Sequence, residues 1–352
     1  MMKTIFNISF LFILVCSCKQ DQKVIDPKKK HIQYTGTFSA TPVNMGSFNS
    51  QFDDYNSTAP IAGEMTPLCF STNRYSNGGN FDIIYKDLSV ELIFDNGQLT
   101  VSEALNNNPF SISDYFSENM NINEALPLIN TSGNEFGPNL INYWYRKAQP
   151  QSQSYSINTF IFLYASDSSG NLDIKFTENI SADTYTTPKN ISYLNSSFDD
   201  AYPTLISDSS KIFFCSNRNG NFDIFSCDLN ANIGLLNNLK DTSVKTILKN
   251  SILSSDYDDK CPSINGNLLV FTSNRPGGFG GYDLYYSVSQ NGNWSTPKNF
   301  GSSINSAADE YRPIVKTYGD SFTNDFMIFS SNRTGGKGGF DLYYVGINKM
   351  TK

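Results

Sequence analysis

Histidine is almost absent from this chain: His31 is the only one among 352 residues. A Ser-His-Asp triad and a multi-histidine metal site are thereby nearly excluded. Charge is scarce too, at 17% of residues, and it leans acidic, with a net charge of −7. Such a surface repels phosphate backbones, so no nucleic acid partner is expected. Cysteine is sparse and never spaced Cys-x-x-Cys as a zinc site needs. The glycine clusters lack the strand-to-helix context of a phosphate loop, so no cofactor is expected. What the chain holds in quantity is aromatic residues, 27 Phe and 20 Tyr within a 39% hydrophobic content. That is enough to bury a core, and it favours strands.

The first residues read as an address. Lys3 precedes an apolar run from Ile5 to Val15, too short to span a membrane as a mature helix. The run ends Val15-Cys16-Ser17-Cys18, which resembles a bacterial lipobox. The resemblance implies cleavage before Cys18 and acylation of its thiol, anchoring the protein without a transmembrane helix. Residues 1–17 are then a lipoprotein signal peptide. Residues 18–31, polar and carrying Pro27, are the acylated cysteine and a flexible tether, and residues 32–352 are one domain.

That domain repeats itself. An aliphatic or aromatic residue, Asn or Ser, Ser or Thr, two variable positions, an acid or amide pair and a Pro recur five times. The copies begin Phe48-Asn49-Ser50, Ile129-Asn130-Thr131, Leu194-Asn195-Ser196, Leu253-Ser254-Ser255 and Ile304-Asn305-Ser306. Their pairs are Asp53-Asp54, Asn134-Glu135, Asp199-Asp200, Asp258-Asp259 and Asp309-Glu310. Each is followed by a short apolar run and a polar triplet ending in Arg74, Arg218, Arg275 or Arg333, with Ser168 in the second copy. A Gly-rich turn then leads to Asp82, Asp173, Asp223, Asp283 or Asp341 between apolar residues. Runs this short, rich in β-branched and aromatic residues, are strands. Gly277, Gly278, Gly280 and Gly281 read as supplying positive φ to such a turn. Asn96-Gly97 and Asn291-Gly292 mark a further hairpin before a fourth strand.

Four antiparallel strands per repeat give an all-β fold, a five-bladed β-propeller. The last copy stops after its third strand. Residues 38–46 match the fourth strand of blade four, Trp294 to Gly301, so the N-terminal strand is expected to close the ring. Six blades is the alternative, if residues 106–128 hide a degenerate copy.

The order Asp-Glu…Pro, apolar strand, Ser-Asn-Arg, Gly-rich turn, Asp-Leu-Tyr resembles the WD-repeat-like propeller repeats of TolB-type proteins. It is clearest from Phe271 to Tyr285 and from Phe329 to Tyr343. The resemblance implies a Bacteroidetes-like envelope lipoprotein at the outer membrane, on its periplasmic or cell-surface face. No residue role transfers with it, because Ser168 and the segments 106–128 and 142–158 depart from the pattern.

Both loop types, acid-pair and Asn-Arg, belong on one face. The acids there could form a ring that holds a cation or basic peptide. Alternatively, each structural Arg (74, 218, 275, 333) pairs with a repeat acid and the carboxylates accept turn N–H groups. A spare acid is expected to be the second of its pair, which makes Asp200, Asp259 and Glu310 rim candidates. The neighbouring Tyr55, Phe136, Tyr202, Lys260, Tyr311 and Arg312 are ligand candidates. Aromatics of the insertions (Phe110, Tyr115 and Phe116; Tyr143, Trp144 and Tyr145, with Arg146) suit sugar stacking or partner contact, or loops folded over their own blades. Cys215 and Cys227 could pair across neighbouring strands or remain buried thiols. The leading expectation is a non-catalytic module binding an envelope protein or glycan, with no metal and no catalytic residue. The alternatives are a five-bladed glycoside hydrolase, which needs two free carboxyls and no histidine, and a glycan-binding lipoprotein serving a transporter.

Overall fold

The computed structural model describes residues 35–59, 65–93, 95–104, 122–147, 155–181, 184–320 and 322–350. Cys18, the tether and Phe110, Tyr115 and Phe116 lie outside the described residues. Five antiparallel sheets form a ring. Inner to outer, blade three is Asp200–Leu205, Lys211–Ser216, Asp223–Asp228 and Ile247–Lys249. Blade four runs Asp259–Asn265, Leu268–Ser273, Asp283–Gln290, with an outer strand in two pieces, Asn293–Trp294 and Lys298–Asn299. Blade one begins at Asp54–Thr58, blade two at Glu135–Lys147 and blade five at Glu310–Lys316. The presumed insertion of blade two lengthens its inner hairpin: Ile141 pairs with Ile161 and the ladder runs on to Lys147 and Tyr155.

The ring closes as the repeat count requires. Val43 and Asn44 pair with Tyr344 and Tyr343, the outer edge of blade five, in the register that Lys298 and Asn299 take on Tyr286 and Tyr285 in blade four. The same segment does more than the sequence suggested. Just upstream, Thr37 and Phe38 pair in parallel with Gln98 and Leu99 of blade one. Phe38 is buried against Phe326, Tyr318 and Phe322. One stretch therefore holds both sides of the seam.

The repeat motif locks each blade to the next. Asn49, Asn130, Asn195 and Asn305 each accept from and donate to one backbone position of the third strand before them: Leu342, Ile83, Ile174 and Leu284. The glycines beyond the triplet serve two purposes. Gly277 and Gly335 have φ of +90° and +93°. Gly280 and Gly338 need closeness instead: a Cβ on either would lie 1.9 Å from a backbone oxygen of the adjoining acid-pair loop, Ala308 or Phe52. Positive φ is thus the reason for Gly277 but not for Gly278, Gly280 or Gly281. Cys69, Cys215, Cys227 and Cys261 are buried free thiols, and Cys215 faces Ile224 while Cys227 faces Ile212.

Candidate functional site at the propeller axis

The register sets acid pair, triplet and repeat Asp at one level: Asp54 faces Thr72, which faces Asp82. On that face the two members of a pair do opposite jobs. The first staples neighbouring blades. Asp53, Asn134, Asp199, Asp258 and Asp309 accept the backbone N–H of Phe340, Phe81, Leu172, Phe222 and Tyr282 at 2.7–3.0 Å. The second is sealed in. Asp54, Glu135, Asp200, Asp259 and Glu310 have no exposure, and four of them meet Arg74, Arg218, Arg275 and Arg333. Each of these arginines also donates to a carbonyl of the motif (Phe48, Leu194, Leu253 or Ile304) and lies over one or two aromatic rings. Asp200, Asp259 and Glu310 are consequently not rim ligands. Their side chains point into the blade from the first residue of the inner strand, where an unpaired charge would be costly.

Blade two departs from this pattern. With Ser168 in place of arginine, Glu135 is held by Thr131 Oγ1 and Ser166 Oγ at 2.7 and 2.9 Å and by the Thr131 amide. Burial pushes its carboxyl above the usual range, and these hydrogen bonds only partly offset it. Among the described residues no group of three or more His, Cys, Asp or Glu is placed to hold a metal ion.

Two residues into every inner strand the ladder slips. Asn56, Gly137, Tyr202, Cys261 and Arg312 all have φ between +48° and +59°, and the pairing shifts register there. In four blades the next residue is Pro, which has no N–H to give the ladder, so a bulge forms. The bulge turns these side chains into the channel. Tyr202 lies against Gly137, where a Cβ would approach its ring to 2.4 Å, and accepts from Asn56 Nδ2 at 3.4 Å. Arg312 stacks on Tyr202 at 5.3 Å and donates to Pro262 O and Pro138 O, both at 3.2 Å. The axis is plugged, and Tyr202 and Arg312, expected at the rim, are buried. The bulge is why: it places them one layer below their neighbours.

Those neighbours form the surface of the mouth. Tyr55, Phe136, Lys260 and Tyr311 are half-buried around the axis, with Phe81, Phe222, Tyr282 and Phe340 beside them from the Gly-rich turns. Tyr55 meets Phe81, Phe136 and Phe340 at 5.0, 5.8 and 5.7 Å, and Tyr311 meets Tyr282 and Phe340 at 5.3 and 6.1 Å. One polar cluster breaks this platform. Tyr282 donates to Asp258 Oδ2 at 2.6 Å, and Lys260 Nζ lies 3.1 Å from the same oxygen and 4.3 Å from the Phe222 ring centroid. Burial works to raise the Asp258 pKa, but Tyr282, the Phe222 amide and Lys260 outweigh it and hold it below its usual range. Burial likewise opposes the Lys260 charge, and Tyr282 and Asp258 more than restore it. Sequence reasoning named Tyr55, Phe136, Lys260 and Tyr311 as ligand candidates, and all four lie at this mouth. It missed Tyr282, Phe81 and Phe340, whose recurrence beside the repeat Asp read as purely structural. The side chains of Tyr143, Trp144, Tyr145 and Arg146 lie outside the described residues.

No family model matches the chain, and no curated protein matches it. Solved structures do. One is the α-L-arabinofuranosidase PaAbf62A from Podospora anserina, at 12% identity and a TM-score of 0.47 over 90% of this chain and 97% of that one. The catalytic domain of the Coprinopsis cinerea GH62 α-L-arabinofuranosidase shares 13% identity at 0.44, over 89% and 96%. Zg3597, a family 117 glycoside hydrolase of Zobellia galactanivorans, shares 10% at 0.44, over 89% and 90%. At such values they assign no activity or residue to this chain. These neighbours are glycoside hydrolases rather than TolB-type proteins, which corrects the expected kinship, and the expectation of a non-catalytic binding module is not carried further.

Proposed function

We propose that the chain is a carbohydrate-active propeller of the glycoside hydrolase kind that takes its sugar on the aromatic platform. One observation carries this reading: an arc of half-buried aromatic residues around the axis, from Tyr282 through Tyr311, Phe340, Tyr55 and Phe81 to Phe136, with Asp258 and Lys260 at its Tyr282 end. Aromatic faces accept the C–H faces of a pyranose, while a few fixed polar groups orient its hydroxyls. The Asp258 carboxylate, kept ionised by Tyr282 and Lys260, is suited to stabilise a developing oxocarbenium ion, and hydrolysis would take a second, protonated carboxyl to give the leaving oxygen its proton. The sealed acids Asp54, Asp200, Asp259 and Glu310 are structural in this scheme. Acylation of Cys18 would present the site at the bacterial outer membrane, with an envelope or environmental glycan as the partner.

The test is a panel of plant, algal and bacterial oligosaccharides, followed by calorimetry and by reducing-sugar release. Tyr282→Ala and Tyr311→Ala should weaken binding at least tenfold. Asp258→Asn should abolish release while binding persists, since an amide oxygen can still accept the Phe222 N–H. A panel with neither binding nor release would end this reading.

A further inference from the structure

Opposite the platform, the channel opens into a cavity of about 660 Å³ lined by Asn139, Asn142, Thr204, Ile264 and Lys316, with Asp208 from the blade-three hairpin. We infer that this lower mouth is an oxyanion site, in which Lys316 contacts a carboxylate, phosphate or sulfate group and Arg312 supplies positive charge behind it. It is separate from the sugar platform and does not depend on it.

The first argument is charge. Arg74, Arg218, Arg275 and Arg333 each meet a carboxylate. Arg312, 2% exposed, meets none among the described residues: it has two prolyl carbonyls and a tyrosine ring, and its Nε has no partner. Carbonyl dipoles do not neutralise a buried guanidinium, and proteins retain such charges where a counterion arrives. The second is backbone. Blades one and two fill the left-handed position with Asn56 and Gly137, which tolerate it, whereas blades three to five place Tyr202, Cys261 and Arg312 there, Arg312 at φ +48°. A long cationic side chain held in that region is strained, and strain of this kind gathers at ligand sites. The third is continuity. Lys316 lies on the same inner strand, four residues towards the cavity, and is its only cationic lining residue. No carboxylate pairs with it among the described residues. Burial, then the nearby Arg312, pull its pKa down to about 8, the mark of an ammonium lacking an anion. Asn142, on the cavity wall, leaves its Oδ1 without a hydrogen-bond partner, so no neighbour fixes the amide through that oxygen. Asp208, exposed at the edge, is engaged by the Ser210 amide at 2.9 Å.

The full chain in detergent should be titrated by calorimetry and thermal shift with sodium sulfate, inorganic phosphate and galacturonate, with ionic strength held constant by sodium chloride. Each oxyanion should raise Tm beyond the chloride control. Lys316→Gln should weaken binding at least tenfold, and Lys189→Gln, an exposed lysine elsewhere, should leave it unchanged. Galacturonate binding tenfold tighter than sulfate would mark an acidic sugar as the source of the anion, and equal binding a free oxyanion. Arg312→Lys, which keeps the charge, should bind more weakly than the native chain but more tightly than Lys316→Gln. No shift beyond chloride, or equal binding by Lys316→Gln, would overturn the inference.

Discussion

Replacing Arg275 by methionine keeps most of the side chain's length and removes its charge. In the native blade its guanidinium bonds to Asp259, to Leu253 O at 2.8 Å and to Ser273 Oγ at 3.0 Å, between the rings of Phe271 and Tyr285 at 5.2 and 5.0 Å. Asp259 has no exposure, so the variant strands a carboxylate that water cannot reach. Two donors remain to it, the Ser255 amide and hydroxyl, at 2.6 and 2.8 Å. Breaking a buried pair from one side costs about 3–5 kcal/mol, and the surviving donors place this case near the lower end, about 3 kcal/mol. Urea unfolding followed by aromatic fluorescence measures it, provided the m-value is unchanged. Adding Asp259→Asn should recover about half of the loss, because the stranded charge is then gone. An Arg275→Met chain within 1 kcal/mol of native, or a double variant no better than the single one, would refute the assignment of these acids as structural.

Glu135 offers a contrast within the same molecule. Its folded carboxyl is raised above 4.5, so its contribution is present below that pH and is lost as pH rises through the folded value. Stability of Glu135→Gln should lack this slope, which a pH series of urea midpoints reads directly. Gly338→Ala should cost about 2–3 kcal/mol or block folding, because its Cβ meets Phe52 O, whereas Gly319→Ala, with open space around it, should be neutral in the same melts. Phe38→Ala removes a 1% exposed ring from the seam and should lower stability by about 3–5 kcal/mol, with faster proteolysis at the N-terminal segment.

The blade count and the closing strand were legible because each repeat declares itself locally with a short apolar run and a Gly-rich turn, and two copies add an Asn-Gly hairpin. The division of labour within an acid pair was not. Asp258 and Asp259 are adjacent and chemically alike, and only the strand's alternation, with Ser255 and Arg275 on one side and Phe222 on the other, decides which is sealed and which is shared. The bulge hid the channel in the same way. Reading Tyr202 and Arg312 as neighbours of the rim assumed an unbroken alternation, which the prolines after them interrupt. The platform was half visible, since Lys260 and Tyr311 vary among the copies. Tyr282 and Phe340 sit at a position that is an aromatic or Leu in every copy, so repetition masked their second role.

The stapling of Thr37–Phe38 and Val43–Asn44 to opposite sides of one seam sets an order of events. Thr37–Phe38 can pair with Gln98–Leu99 as soon as blade one exists, but Val43–Asn44 finds Tyr343 and Tyr344 only when the last strand has emerged. Until then the early blades must persist with a raw edge, so a premature stop should leave an aggregation-prone intermediate rather than a smaller stable protein.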